Sequence, residues 1–219
     1  MGGRAADDCQ TTVGLNAPAR RVLIAALAIE AGLIALHIPA RIADGAKIFR
    51  LDEEANLPTW FSSSQFLIAG LVCAALAFGE KRRRTGWAVL AVLMVMFSLD
   101  EVAEIHERVE DKAGFDLALL VLEPLVGVAV LVVVWRAMRT LSGAPATFLV
   151  LALAAAFLAQ LMSIVTGHFE PSSQAVEYVV QALEEVFEML TGTFVLVAAL
   201  SAGAAAWTAV VVRLTTGRR

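Results

Sequence analysis

Six long apolar blocks alternate with short polar connections along the chain: Val22–Pro39, Trp60–Phe78, Trp87–His106, Leu117–Trp135, Phe148–Gly167 and Tyr178 to about Leu200 or beyond. Each is near the ~20 residues that cross a ~30 Å hydrocarbon core. Inside lipid every backbone N–H and C=O needs an internal partner, so only helices or closed barrels span it. Continuous apolarity without alternation selects helices. The pattern predicts an all-α fold, a polytopic transmembrane bundle of six spans. Residues 22–213 form its single membrane domain, flanked by tails at 1–21 and 214–219.

Composition supports this reading. The 219 residues are 59% hydrophobic, against roughly 45–50% for an ordinary soluble domain. The stretch "RRVLIAALAIEAGLIALHIPARIA" also has the outline of a secretory signal, with Arg20 and Arg21 as its basic region. Its apolar part is long for that purpose and is interrupted by Glu30, which favours a retained span. The two cysteines, Cys9 and Cys73, form no CxxC and suggest neither a disulfide framework nor a thiolate metal site.

Charge placement sets the expected orientation. Of the 17 Lys and Arg residues, twelve fall on one side of a six-span arrangement: Arg4, Arg20, Arg21, Lys81, Arg82, Arg83, Arg84, Arg136, Arg139, Arg213, Arg218 and Arg219. By the positive-inside rule that side is cytoplasmic, and with it both termini. The expected location is the cell inner (plasma) membrane, as a multi-pass protein. Only Asp7, Asp8 and Glu80 of the 21 acids share the basic side. The others lie on the outer side or within the spans.

Several of these acids are embedded. Glu30 and His37 lie seven apart on one face of span one. Span three ends in "SLDEVAEIHERVED", with Asp100, Glu101 and Glu104 in its outer part. Glu123 lies in span four, followed by Pro124. In span six, Glu177, Gln181, Glu184, Glu188 and Thr191 follow 4-3-4-3 spacing beside Glu185, which draws one polar stripe down a helix. Such stripes should face one another, because a charged group facing lipid costs ~2.5 kcal/mol or more. No Lys or Arg occurs inside the six blocks. Carboxylates converging in low dielectric cannot all ionise unpaired, so protons or a bound cation must balance them.

The three histidines, His37, His106 and His168, all fall toward the outer side and are possible further ligands. Mixed imidazole and carboxylate ligation suits Zn, Fe or Mn; carboxylates alone suit Ca, Mg or Mn. The expected primary metal or proton ligands are Asp100, Glu101, Glu104, Glu123, Glu184 and Glu188. Glu30, His37, His106, His168 and Glu185 are possible additions.

Known catalytic patterns are missing. A carboxylate-bridged di-iron bundle uses Glu-x-x-His, whereas Glu101 and Glu104 are each followed three residues later by another Glu, and His106 points about 200° from Glu104 on a helix. HExxH, GxSxG, Walker A and GxGxxG are absent. The motifs "LPTWFSS", "SLDEVAEIHE" and "ALEEVFEML" together resemble a pattern in uncharacterised bacterial six-span membrane proteins. The resemblance covers these motifs and most of the intervening spans, and it implies no activity.

Three function classes fit. The first is a membrane protein binding a divalent metal in its outer half, used for enzymatic work on a lipid or other membrane-soluble substrate. The second is a proton- or cation-coupled transporter or channel using the same carboxylates. Transporter sites typically use broken helices, and only Glu123-Pro124 and Thr191-Gly192-Thr193 suggest breaks. The third is a structural or assembly protein. Membrane lipids are the expected partners, and nothing in the chain points to nucleic acid.

Overall fold

A computed structural model describes residues 15–42, 47–51, 56–103, 132, 134–136, 138–168 and 174–215. Among the described residues are five long α-helices: α1 (Ala17–Ile42), α2 (Leu57–Gly79), α3 (Arg84–Ala103), α4 (Ala144–His168) and α5 (Gln174–Thr215). Two single-turn 3-10 helices, Lys47–Phe49 and Lys81–Arg83, sit in connections. All five long helices carry stretches long and apolar enough to cross a membrane. The chain is therefore an all-α, multi-pass membrane protein. The fourth apolar block, Leu117–Trp135, lies almost wholly outside the described residues.

Local chemistry starts these helices where the sequence suggests. Asn56 caps α2, its side-chain oxygen accepting the Thr59 N–H at 3.0 Å, and Pro58 sits in the first turn. A first-turn proline loses no hydrogen bond, since those N–H groups have no helical acceptor. Asn16 does the same for α1, accepting from Ala19 N at 2.9 Å. Ahead of α4, Gly143 takes a left-handed φ of 66°, which costs glycine nothing. Pro39 is accommodated inside α1, which runs on to Ile42. The last helix continues beyond Leu200 to Thr215.

The packing centres on α5, which touches α1, α2 and α4, while α2 also packs on α3. Helices α1 and α5 are antiparallel, as three contacts show. Asn16 Nδ2 donates to the Leu200 carbonyl at 3.2 Å; Thr193 meets Glu30; the Arg41 guanidinium lies 3.2 Å from the Tyr178 ring centroid. The start of α1 and the later part of α5 thus share one end of the bundle. The same end is basic: the Lys81–Arg83 turn leads into α3, and Arg83 donates to the Thr140 carbonyl at 2.9 Å. Glu80 pairs with Arg83 and accepts from the buried Trp87 indole at 2.8 Å.

Between the helices lies a core of Phe66, Cys73, Trp87, Met94, Leu149 and Val195 with many alanines. Small residues set the close approaches: a Cβ on Gly70 would stand 3.0 Å from the Val95 side chain and 3.2 Å from the Ala91 carbonyl. This is how helices associate in lipid, where tails are as apolar as leucine and packing must supply the attraction. Large apolar side chains face outward instead, among them Phe78, Leu71 and Phe157. That surface is matched to lipid rather than to water.

Candidate metal or proton site

At the end of the bundle opposite the basic turn, α3 finishes and α5 begins, and their acids meet. Glu101, Glu185 and Glu188 each offer a carboxylate oxygen, all within 4.8 Å of one another. All three side chains are half-buried. Glu101, Glu184 and Glu185 all lie close enough to act electrostatically on Glu188. The site therefore gathers several acids in one place.

Position on the helices explains the grouping. Glu185 and Glu188 are three residues apart and so neighbours on the surface of α5. Glu184 flanks Glu188 on its other side, four residues back. Which neighbour joins Glu188 in the triad depends on the side from which α3 arrives, and the sequence stripe of Glu184 and Glu188 did not encode that. Asp100 is half-buried beside Glu101 but does not belong to the three-oxygen group. Glu104, Glu123 and His106 lie outside the described residues, and His168 is the last residue of α4 with its side chain undescribed.

His37 has a structural engagement. Its Nδ1 accepts the Leu51 backbone N–H at 3.0 Å. Leu51 is buried against Leu33 and Met189, so the imidazole anchors the connection after α1 to the bundle. A ring nitrogen accepting a hydrogen bond carries no proton, which places the neutral ring's proton on Nε2.

Glu30 is engaged elsewhere, deeper along α5. It is only 3% exposed, and its Oε1 accepts from Gln65 Nε2 at 3.0 Å and from Thr193 Oγ1 at 2.5 Å. Gln65 also donates to Thr193 at 2.6 Å. Three helices, α1, α2 and α5, thus close one polar knot. Sequence reasoning gave no role to Gln65 and treated Thr193 only as part of a helix break. The helix is in fact continuous through Thr191-Gly192-Thr193, and the Thr191 hydroxyl bonds to the Phe187 carbonyl of the preceding turn at 2.8 Å. Gly192 serves contact: a Cβ there would sit 3.3 Å from Gln65 and from the Phe66 ring.

Two of the three serines of "LPTWFSSSQ" face inward. Ser62 and Ser63 are buried, and Ser63 reaches Ser98 on α3. The "LPTWFSS" and "SLDEVAEIHE" motifs therefore meet in space.

Helices of this length and apolarity, with acids gathered at one end, define a class: multi-pass membrane proteins with embedded carboxylates. Within it, the chain belongs to the DUF8692 family, a domain of unknown function, which matches residues 20–204. No curated protein and no solved structure matches the chain.

Proposed function

We propose that this protein binds a divalent cation in the membrane through Glu101, Glu185 and Glu188. The observation that carries the reading is the convergence of three carboxylate oxygens within 4.8 Å. Oxygen ligands about 2.3–2.6 Å from a cation such as Ca²⁺ stand no farther apart than twice that distance. The charge also fits: a divalent cation offsets two of the three carboxylates. With oxygen donors only, the donor set favours hard cations such as Ca²⁺, Mg²⁺ or Mn²⁺ over zinc. A centre of this kind, bound at one end of a lipid-embedded bundle, would supply Lewis-acid activation of water to a membrane-soluble substrate. Membrane lipids are then both surroundings and the first substrate class to examine.

A second reading, proton or cation transport, is favoured by the Glu30 knot. It places another carboxyl beside α5 five residues past Glu188, about 7.5 Å of helical rise.

The decisive experiment is metal analysis of protein purified in mild detergent without chelators, wild type beside Glu185→Gln and Glu188→Gln. Near-stoichiometric divalent metal in wild type, lost in both variants, is expected. Wild type without metal, even after dialysis against Mn²⁺ or Ca²⁺, refutes the metal reading. Proton or Mn²⁺ flux in proteoliposomes that stops in Glu188→Gln selects transport instead.

A further inference from the structure

The Glu30 knot contains an imbalance that its hydrogen bonds do not resolve. Among the described residues the contacts of the Glu30 carboxyl are Gln65 and Thr193, and both fall on Oε1. Glu30 Oε2 is buried with no protein donor, and so is the Gln65 side-chain oxygen. Glu30 is 3% exposed and Gln65 6%. A bridging water would satisfy the hydrogen bonding of these two oxygens but not the charge of a buried carboxylate, which calls for a positive ligand or a proton.

Ligand count decides between them. A hard metal cation takes about six oxygens, and this knot offers two unused side-chain oxygens plus the Thr193 hydroxyl. A proton needs one. Among the described residues no cationic side chain bonds Glu30 Oε2: α2 carries no Lys or Arg, and α5 carries only Arg213, twenty residues beyond Thr193.

We propose that Glu30 is a membrane-interior proton-binding site, separate from the three-carboxylate centre, with Gln65 and Thr193 as positioning residues. In the neutral acid Oε2 carries the proton, while Oε1 is the carbonyl oxygen that takes both donors. When the proton leaves, the same two donors hold the anion, so the site can release as well as retain it. Gly192 makes this possible by letting α2 approach α5 closely enough for Gln65 to reach Thr193.

Few other titratable groups bear on Glu30. From α2 the facing group is Gln65, and the one titratable side chain on that helix, Cys73, is eight residues away, about 12 Å of rise. From α5 the facing group is Thr193; its titratable residues are Glu177, Tyr178, Glu184, Glu185, Glu188 and Arg213, of which Glu188 is nearest in sequence. On α1 itself, Arg20, Arg21, His37 and Arg41 lie seven or more residues from Glu30, and Lys47 and the buried Arg50 follow in the connection that packs on α1 and α2. Loading of Glu30 is thus readable apart from the triad.

Infrared spectroscopy of the full chain in lipid at neutral pH tests this directly. Wild type should show a protonated-carboxyl C=O stretch that loses one carboxyl's intensity in Glu30→Gln and survives, as that component, in Glu188→Gln. Thr193→Val removes a donor to Oε1, so the same component should move to higher frequency. A protonated-carboxyl band unchanged by Glu30→Gln overturns the proposal. If that variant does not fold, Thr193→Val keeps the carboxyl in place, and an unshifted band overturns it equally.

Discussion

Ser63 of α2 donates a hydrogen bond to the Ser98 carbonyl of α3 at 2.9 Å, and the two hydroxyl oxygens lie 3.0 Å apart. Both residues are buried. Glu101 stands three residues farther along α3, about 4.5 Å of rise, so this link fixes the depth at which Glu101 is presented to Glu188. Ser63→Ala is expected to cost about 0.6 kcal/mol, rising to ~1.7 if the site cannot relax. A double-mutant cycle with Ser98→Ala, read by reversible unfolding in mixed micelles, should show a positive coupling. Additive single effects would mean that the hydroxyl–hydroxyl contact adds nothing to the Ser63 bond to the Ser98 carbonyl, which Ser98→Ala leaves in place.

Removing one carboxylate from the triad should act oppositely with and without metal. Glu185→Gln relieves like-charge repulsion, so the metal-free protein should melt at the same temperature as wild type or slightly higher. With Mn²⁺ or Ca²⁺ at 100 times the dissociation constant, wild type should gain about 2.7 kcal/mol, and Glu185→Gln most of that gain less. Glu177→Gln, on the same helix, is the control. Equal metal-induced shifts in all three proteins would exclude Glu185 from the site.

Glycines in these helices divide by what a methyl group would meet. Gly70→Ala pushes against a backbone carbonyl and the Val95 side chain, and overpacking of this kind costs about 1–3 kcal/mol. Gly32→Ala meets nothing within 4 Å and should be neutral or stabilising by up to ~1 kcal/mol through helix propensity. Thermal unfolding of the pair in one detergent checks the order; a reversal would refute the close α2 and α3 packing.

His37→Ala should loosen the connection after α1 while leaving metal content intact. The buried Leu51 amide loses its acceptor, a loss of about 1–3 kcal/mol. Hydrogen exchange at Leu51 should speed up in the variant. A drop in bound metal would instead return His37 to the ligand set.

Much of the fold was legible because lipid imposes a length and a composition on any segment that crosses it. Five of the six apolar blocks coincide with long helices, and Leu117–Trp135 lies almost entirely outside the described residues. The Asn56-Pro58 start of α2 is set locally, because capping involves residues adjacent in sequence. The end of α1 was less legible: it continues past Pro39 to Ile42, since a proline weakens a helix without forbidding it.

The sequence by itself determined that acids would be embedded in the spans without Lys or Arg in the same blocks, and that the imbalance would have to be met by protons or a cation. Only the tertiary structure decided the grouping. It joined Glu185 rather than Glu184 to Glu101 and Glu188, and sent Glu30 to Gln65 and Thr193, residues 35 and 163 positions away in the chain. The physical reason is that helical periodicity assigns each side chain to a face but leaves open which helix meets that face and at what depth. Those two quantities are set by small residues such as Gly70 and Gly192 and by polar links such as Ser63 to Ser98, whose partners are distant in sequence.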